Sequence, residues 1–164
     1  MPLFRRSTPD HFAGLAEAVG HAVKPLAFGT GEGSTVLVGT REELALCVDG
    51  TWTSWPWETI AGGSWKGESR TFRWRTVEAD EHEVVLEDAN RLPQLFRERI
   101  EASTVVQSVI ATDPGHVQVV GRRGLGADET VRFYAVPSGG ADLLDDVTRA
   151  AIVAETDRLR AEYF

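Results

Sequence analysis

A single cysteine, Cys47, occurs in 164 residues. One thiol cannot close an internal disulfide or build a cysteine-rich zinc site. No apolar run approaches the ~20 residues needed to span a bilayer as a helix. The opening residues, Met1-Pro-Leu-Phe-Arg-Arg6, lack the apolar stretch of a secretory leader, so a cytoplasmic location is the expectation. An excess of positive charge is missing too. The net charge of −8 repels nucleic acid and anionic lipid at long range. A basic patch can still act locally, within a Debye length of roughly 10 Å.

Catalytic signatures are equally scarce. The histidines are His11, His21, His82 and His116, and no two of them stand three or four apart, so an H-E-x-x-H site is excluded. Ser103, Ser108 and Cys47 lack the context of an activated nucleophile such as G-x-S-x-G. Gly29-Thr-Gly-Glu-Gly33 is followed by a strand pattern. A phosphate loop would need a helix there, with its N-terminus turned to the phosphate. Asp80-Glu-His-Glu83 is an acid–histidine group read as a solvated turn, with weak divalent-cation binding as the alternative. The sequence therefore predicts no catalytic residue, no cofactor and no metal, and a chain that is not an enzyme.

What the sequence does have is tryptophan in one place. All five, Trp52, Trp55, Trp57, Trp65 and Trp74, fall within a short segment. Tryptophan buries a large apolar area while keeping one N–H donor, so such a cluster serves a core or a recognition surface.

Periodicity supplies the elements. Thr8-Pro9 reads as a helix start, with Phe12, Leu15, Ala16, Val19 and Val23 recurring at helical spacing until Gly20 and Pro25 end it. Strands are predicted at 26–28, 35–39, 44–48, near 57–60, and at 63–66, 70–77 and 83–87. Turn residues separate them, Asp49-Gly50 most clearly. In 70–77, Phe72 and Trp74 face one way and Arg73 and Arg75 the other. A helix follows from Asn90, with Leu92, Leu95, Phe96 and Ile100 as its stripe. The β-branched residues from Thr104 place its end near Ser103, although the pattern also permits helix as far as Ile110. Residues 117–120 and 131–136 read as a hairpin around Gly121–Glu129, which puts Arg122-Arg123 near its tip. Asp142 to Asp146 cap a final helix, with Val147, Ala151, Ile152, Ala154, Leu159 and Tyr163 as candidate buried positions.

Val36-Leu-Val-Gly-Thr-Arg41, then Leu44-Ala-Leu46 and Asp49-Gly50, resembles the second and third strands of bacterial pleckstrin-homology-like (PH-like) and GRAM-like domains. Trp55-Pro-Trp57-Glu-Thr-Ile60, trailed by Trp65, is similar to the strand that follows there. The resemblance covers 26–103 and implies an α+β fold: a PH-like seven-stranded barrel with a capping helix. To this core the chain adds an N-terminal helix (1–25) and a C-terminal β-hairpin and helix (104–164) packed on the same domain. The group of uncharacterised bacterial proteins that the whole chain resembles implies no catalytic activity, and fold alone would not fix one.

The functional expectation is a non-catalytic interaction module that binds a protein partner or a second copy of itself. Trp57 and Trp74 fit inward barrel positions. Trp52, Trp55 and Trp65 are the candidates for an exposed contact patch, unless a terminal helix covers them. The second candidate surface is the basic run Lys66, Arg70, Arg73 and Arg75. Its alternative function is recognition of an anionic headgroup or phosphate, which is also the one route to a membrane. Phosphoinositide-binding PH domains carry a comparable pattern on the first two strands; here it lies on the fifth and sixth. A small-ligand carrier or enzyme using the barrel mouth is the remaining alternative. No nucleic-acid partner is expected.

Overall fold

A computed structural model of the chain describes residues 10–164. The predicted helix start at Thr8-Pro9 lies outside them. The protein is mixed α+β, with three antiparallel sheets and three α-helices among the described residues.

The first sheet joins β1 (Ala27–Thr30), β2 (Val36–Gly39), β3 (Glu43–Val48) and β4 (Thr51–Pro56) in chain order. Its register explains the unbroken apolar run Val36-Leu-Val38. Val36 stands opposite Cys47 and Val38 opposite Ala45 on one face, while Leu37 stands opposite Leu46 on the other. Both faces are covered, so both need apolar side chains. The first face packs on α1 (Leu15–Val19) through Leu15, with Phe12, Val19 and Val23 beside it. Cys47 is a small buried residue there, as the sequence implied. The second face enters the main core, where Leu37 and Leu44 meet Trp57, Ile60, Phe72 and Trp74.

One predicted strand is displaced. The ladder of β4 ends at Pro56, and Trp57–Thr59 forms a single 3-10 turn rather than a strand. Proline has no N–H to extend a ladder. The turn drops the Trp57 indole into the core, where it donates to the Thr40 carbonyl at 2.9 Å.

The second sheet holds β5 (Ile60–Lys66), β6 (Thr71–Thr76) and β7 (Glu81–Val85). Trp65, Phe72, Trp74 and Val84 face inward, and α2 (Leu92–Ser103) closes the core with Leu92 and Phe96. The seven strands thus lie in two separate ladders and form no closed barrel. One bridge, Thr30 with Asp88, ties the edge of the first sheet to the chain leaving β7.

The helix α2 runs straight into a third sheet at the predicted boundary. This sheet comprises β8 (Thr104–Ala111), β9 (His116–Arg123) and β10 (Val131–Ser138), in the order β10-β9-β8. The C-terminal extension is therefore a three-stranded sheet. It carries α3 (Asp146–Tyr163), which packs Leu159 against Val106 and Val119. Three helix positions depart from expectation: Val147 is 79% and Tyr163 56% exposed, and Ala154 is exposed as well. The buried face runs through Thr148, Ile152 and Leu159, one helical stripe that excludes all three.

Candidate functional site

Strand β5 is where unused bonding capacity meets open space. It pairs with β6 on one side and, among the described residues, with no strand on the other. Apart from the ladder to β6, no hydrogen bond to the backbone of 61–66 occurs among the described residues. An unpaired strand edge is a row of donors and acceptors that an extended chain can complete. Its middle, Gly62-Gly63-Ser64, presents almost no side chain. A Cβ on Gly63 would stand 2.5 Å from the Arg73 carbonyl oxygen and 2.7 Å from the Phe96 ring, whereas one on Gly62 would meet nothing within 4 Å. Gly63 is thus required by the seat of Phe96, and Gly62 leaves the edge bare.

Two cavities flank this edge. On the inner side, a groove of about 310 Å³ lies between β5 and α2, lined by Trp65, Phe72, Pro93, Phe96 and Ile100. On the outer side, a cleft of about 770 Å³ separates the second sheet from β9 and β10. Both share Gly62, Gly63 and Ser64.

The outer cleft contains part of the predicted basic run. Strand alternation and register put Lys66, Arg73 and Arg75 on one face. Arg70 stands apart, exposed in the β5–β6 turn with a left-handed φ of 52°. The face is not purely basic. Arg73 donates to Glu83 at 2.8 Å, and Arg75 stands opposite Glu81 and donates to the Pro137 carbonyl at 2.8 Å. Two guanidinium groups and two carboxylates therefore share the cleft, a balance that the sequence run alone hid.

The tryptophans sort by neighbour. Trp57 and Trp74 are buried, as expected. Trp52 is half-buried under the N-terminal segment, and its indole donates to the Ala13 carbonyl at 2.8 Å. Trp55 is half-buried, edge-on to Trp74 at 5.1 Å and 4.7 Å from the His82 ring. His82, expected at a solvated turn, instead lies in β7 and stacks on Trp74. Trp65 is half-buried over Phe72 and is the one tryptophan lining the groove. Each of the three candidates is thus half-buried and has its own internal partner.

Arg122 overturns a second expectation. It is a strand residue of β9, 3% exposed, and not part of the hairpin tip. It donates to the carbonyls of Trp57 and Ile60 and to the Ser103 hydroxyl, at 2.7 to 2.9 Å. Burial lowers its pKa to about 10, so it remains charged. Burial also pushes the Glu58 carboxyl above the usual range.

Sequence inspection missed one further group. His21, Glu42 and Glu43 bring three ligand atoms within 4.8 Å of one another. His21 is well separated from the glutamates in sequence, so no local spacing signals the group. The His21 pKa is raised, first by its hydrogen bond to the Ala22 carbonyl, then by Glu43 and Glu42, against an opposing effect of burial. No helix among the described residues is long and apolar enough to cross a membrane. No family model, no curated protein and no solved structure matches this chain.

Proposed function

We propose that the protein is a non-catalytic interaction module that binds an extended polypeptide segment as an added strand along β5. The observation that carries this is the open β5 edge with a different cavity on each side. Side chains of an added strand point alternately to opposite faces. One set would enter the apolar groove between Trp65, Phe96 and α2. The other would meet Arg73, Arg75, Glu81 and Glu83. Main-chain bonds supply affinity in this mode and the flanking cavities supply selectivity. The partner chemistry is thus an extended segment alternating bulky apolar residues with charged residues of both signs.

Residues 26–103 are read as a PH-like unit in this proposal. Its support is the succession of four strands, three strands and a helix, with the Thr30–Asp88 bridge between the two ladders. The alternative of an anionic headgroup on Lys66, Arg73 and Arg75 is disfavoured by Glu81 and Glu83 on the same face.

A random-peptide library displayed against the full chain tests the proposal. Selected peptides are expected to alternate apolar and charged positions and to shift the backbone amide resonances of 61–66. The even-numbered residues of β6 bond β7, so Gly62 and Ser64 bond β6 and the N–H groups of Gly63 and Trp65 face the open edge. Trp65→Pro, which removes one of these N–H groups, is expected to weaken binding at least 10-fold and by more than Trp65→Ala, which removes only the side chain. Amide shifts confined to other surfaces, or salt-sensitive binding to anionic vesicles without any peptide selected, would overturn it.

A further inference from the structure

We infer that His21, Glu42 and Glu43 form a binding site for a zinc-like divalent cation that clamps the N-terminal segment onto the first sheet. This site is separate from the β5 edge and independent of the proposed peptide binding. His21 follows Gly20, the left-handed residue that ends α1. Glu42 and Glu43 lie at the β2–β3 connection. Imidazole Nε2 stands 2.8 Å from Glu43 Oε1 and 3.2 Å from Glu42 Oε2.

The donor set has the marks of ligands held in place by second partners. Imidazole Nδ1 donates to the Ala22 carbonyl at 2.8 Å. In the neutral ring that leaves the Nε2 lone pair facing the two carboxylates, the orientation a metal ligand requires. Glu43 is 4% exposed, and its other oxygen accepts from the Thr40 hydroxyl at 2.7 Å. Among the described residues, the ion pairs of Glu42 and Glu43 are with His21 alone. Among the described residues, two converging carboxylates, one of them buried, therefore have no permanent cation. Either the imidazole carries a proton or a metal ion stands in its place.

A second observation lies outside the three ligands. The adjoining cleft of about 270 Å³ is lined by all three and also by Glu58 and Asp128. Among the described residues Glu58 Oε2 has no hydrogen-bond partner, so the wall of this cleft carries one further unsatisfied acceptor beside the three ligands.

Size and donor type select the ion. Zinc–nitrogen and zinc–oxygen bonds of about 2.0–2.2 Å place tetrahedral ligands roughly 3.3 Å apart. The observed separations need only a small opening. A mixed imidazole–carboxylate set suits zinc and its neighbours better than calcium or magnesium, which prefer oxygen alone. Three protein ligands leave one position open towards the cleft.

The full chain, stripped with a chelator, is titrated with ZnCl2 and separately with CoCl2 near pH 7.5. One equivalent is expected to bind, with visible absorption of four-coordinate cobalt. His21→Ala and Glu43→Gln should each weaken binding at least 10-fold, and His82→Ala should leave it unchanged. Because Glu43 is buried, Glu42→Gln at its half-exposed position provides a second carboxylate variant, and circular dichroism checks the fold of each. Failure of the unaltered chain to bind one equivalent would overturn the inference, and so would unchanged affinity in His21→Ala or an equal loss in His82→Ala.

Discussion

At the scale of single residues, Arg122 is the most consequential. A buried guanidinium is tolerated because three oxygens receive its donors. Removing it takes a charge-assisted bond from the Trp57 carbonyl, which keeps the Ile60 N–H, and from the Ser103 hydroxyl, which still donates to Ile100, and it leaves the Ile60 carbonyl without this donor. A hydrogen bond to a charged group contributes about 1.5–3 kcal/mol, and an unsatisfied acceptor costs about 1–3 kcal/mol. Arg122→Met is therefore expected to lower unfolding stability in urea by about 3–5 kcal/mol. Arg122→Lys should recover only part of this, because an ammonium does not present the planar fork that spans three acceptors. Gly63 makes the opposite point, since its lack of a side chain is what the structure uses. Gly63→Ala would push on Phe96 and on a main-chain oxygen. A loss of about 2 kcal/mol is expected in the same assay, in the range for overpacking, together with loss of peptide binding in the groove.

At the scale of elements, α3 and β8 carry the next predictions. The Asp145 side chain caps α3 by accepting from the Thr148 N–H at 2.9 Å and from the Thr148 hydroxyl at 3.0 Å. These bonds hold its carboxyl below the usual range. A depressed folded pKa contributes stability above the unfolded value, about 3.9, and that stability disappears as pH falls through the folded value. Asp145→Ala should therefore lower the thermal midpoint near pH 7 and have almost no effect near pH 2, as followed by circular dichroism. Strand β8 is an edge of the third sheet, contains no charged residue, and exposes Val105 and Val109. Uncharged apolar edges invite pairing between chains. Val109→Lys is expected to reduce concentration-dependent light scattering without shifting the unfolding midpoint.

At the scale of the whole molecule, the question is whether the third sheet folds with the rest. Arg122 of β9 holds the Trp57 turn, the start of β5 and the end of α2 at once. Val120 and Val136 also pack on Val77. Unfolding is thus expected to be one cooperative transition. The chain supplies its own probes. Every tryptophan reports on 52–74, whereas far-ultraviolet circular dichroism includes α3. The two urea curves should coincide in the unaltered chain and separate in Arg122→Met. Coincidence in both would show that other contacts couple the sheets.

The sequence by itself determined the local elements, because their causes are local. Alternation placed Phe72 and Trp74 inside and Arg73 and Arg75 outside. The stripe of α2 and the switch to β-branched residues at Thr104 marked a true boundary. The strand expected at 57–60 failed where Pro56 ended the ladder and Trp57 answered to the core. Only the tertiary structure decided what those residues meet. It paired Arg73 with Glu83 across a ladder, covered Trp52 with Ala13, buried Arg122, and brought His21 to Glu42 and Glu43. Those contacts join residues far apart in the chain, and their energies depend on burial and separation in space, which no short-range pattern encodes.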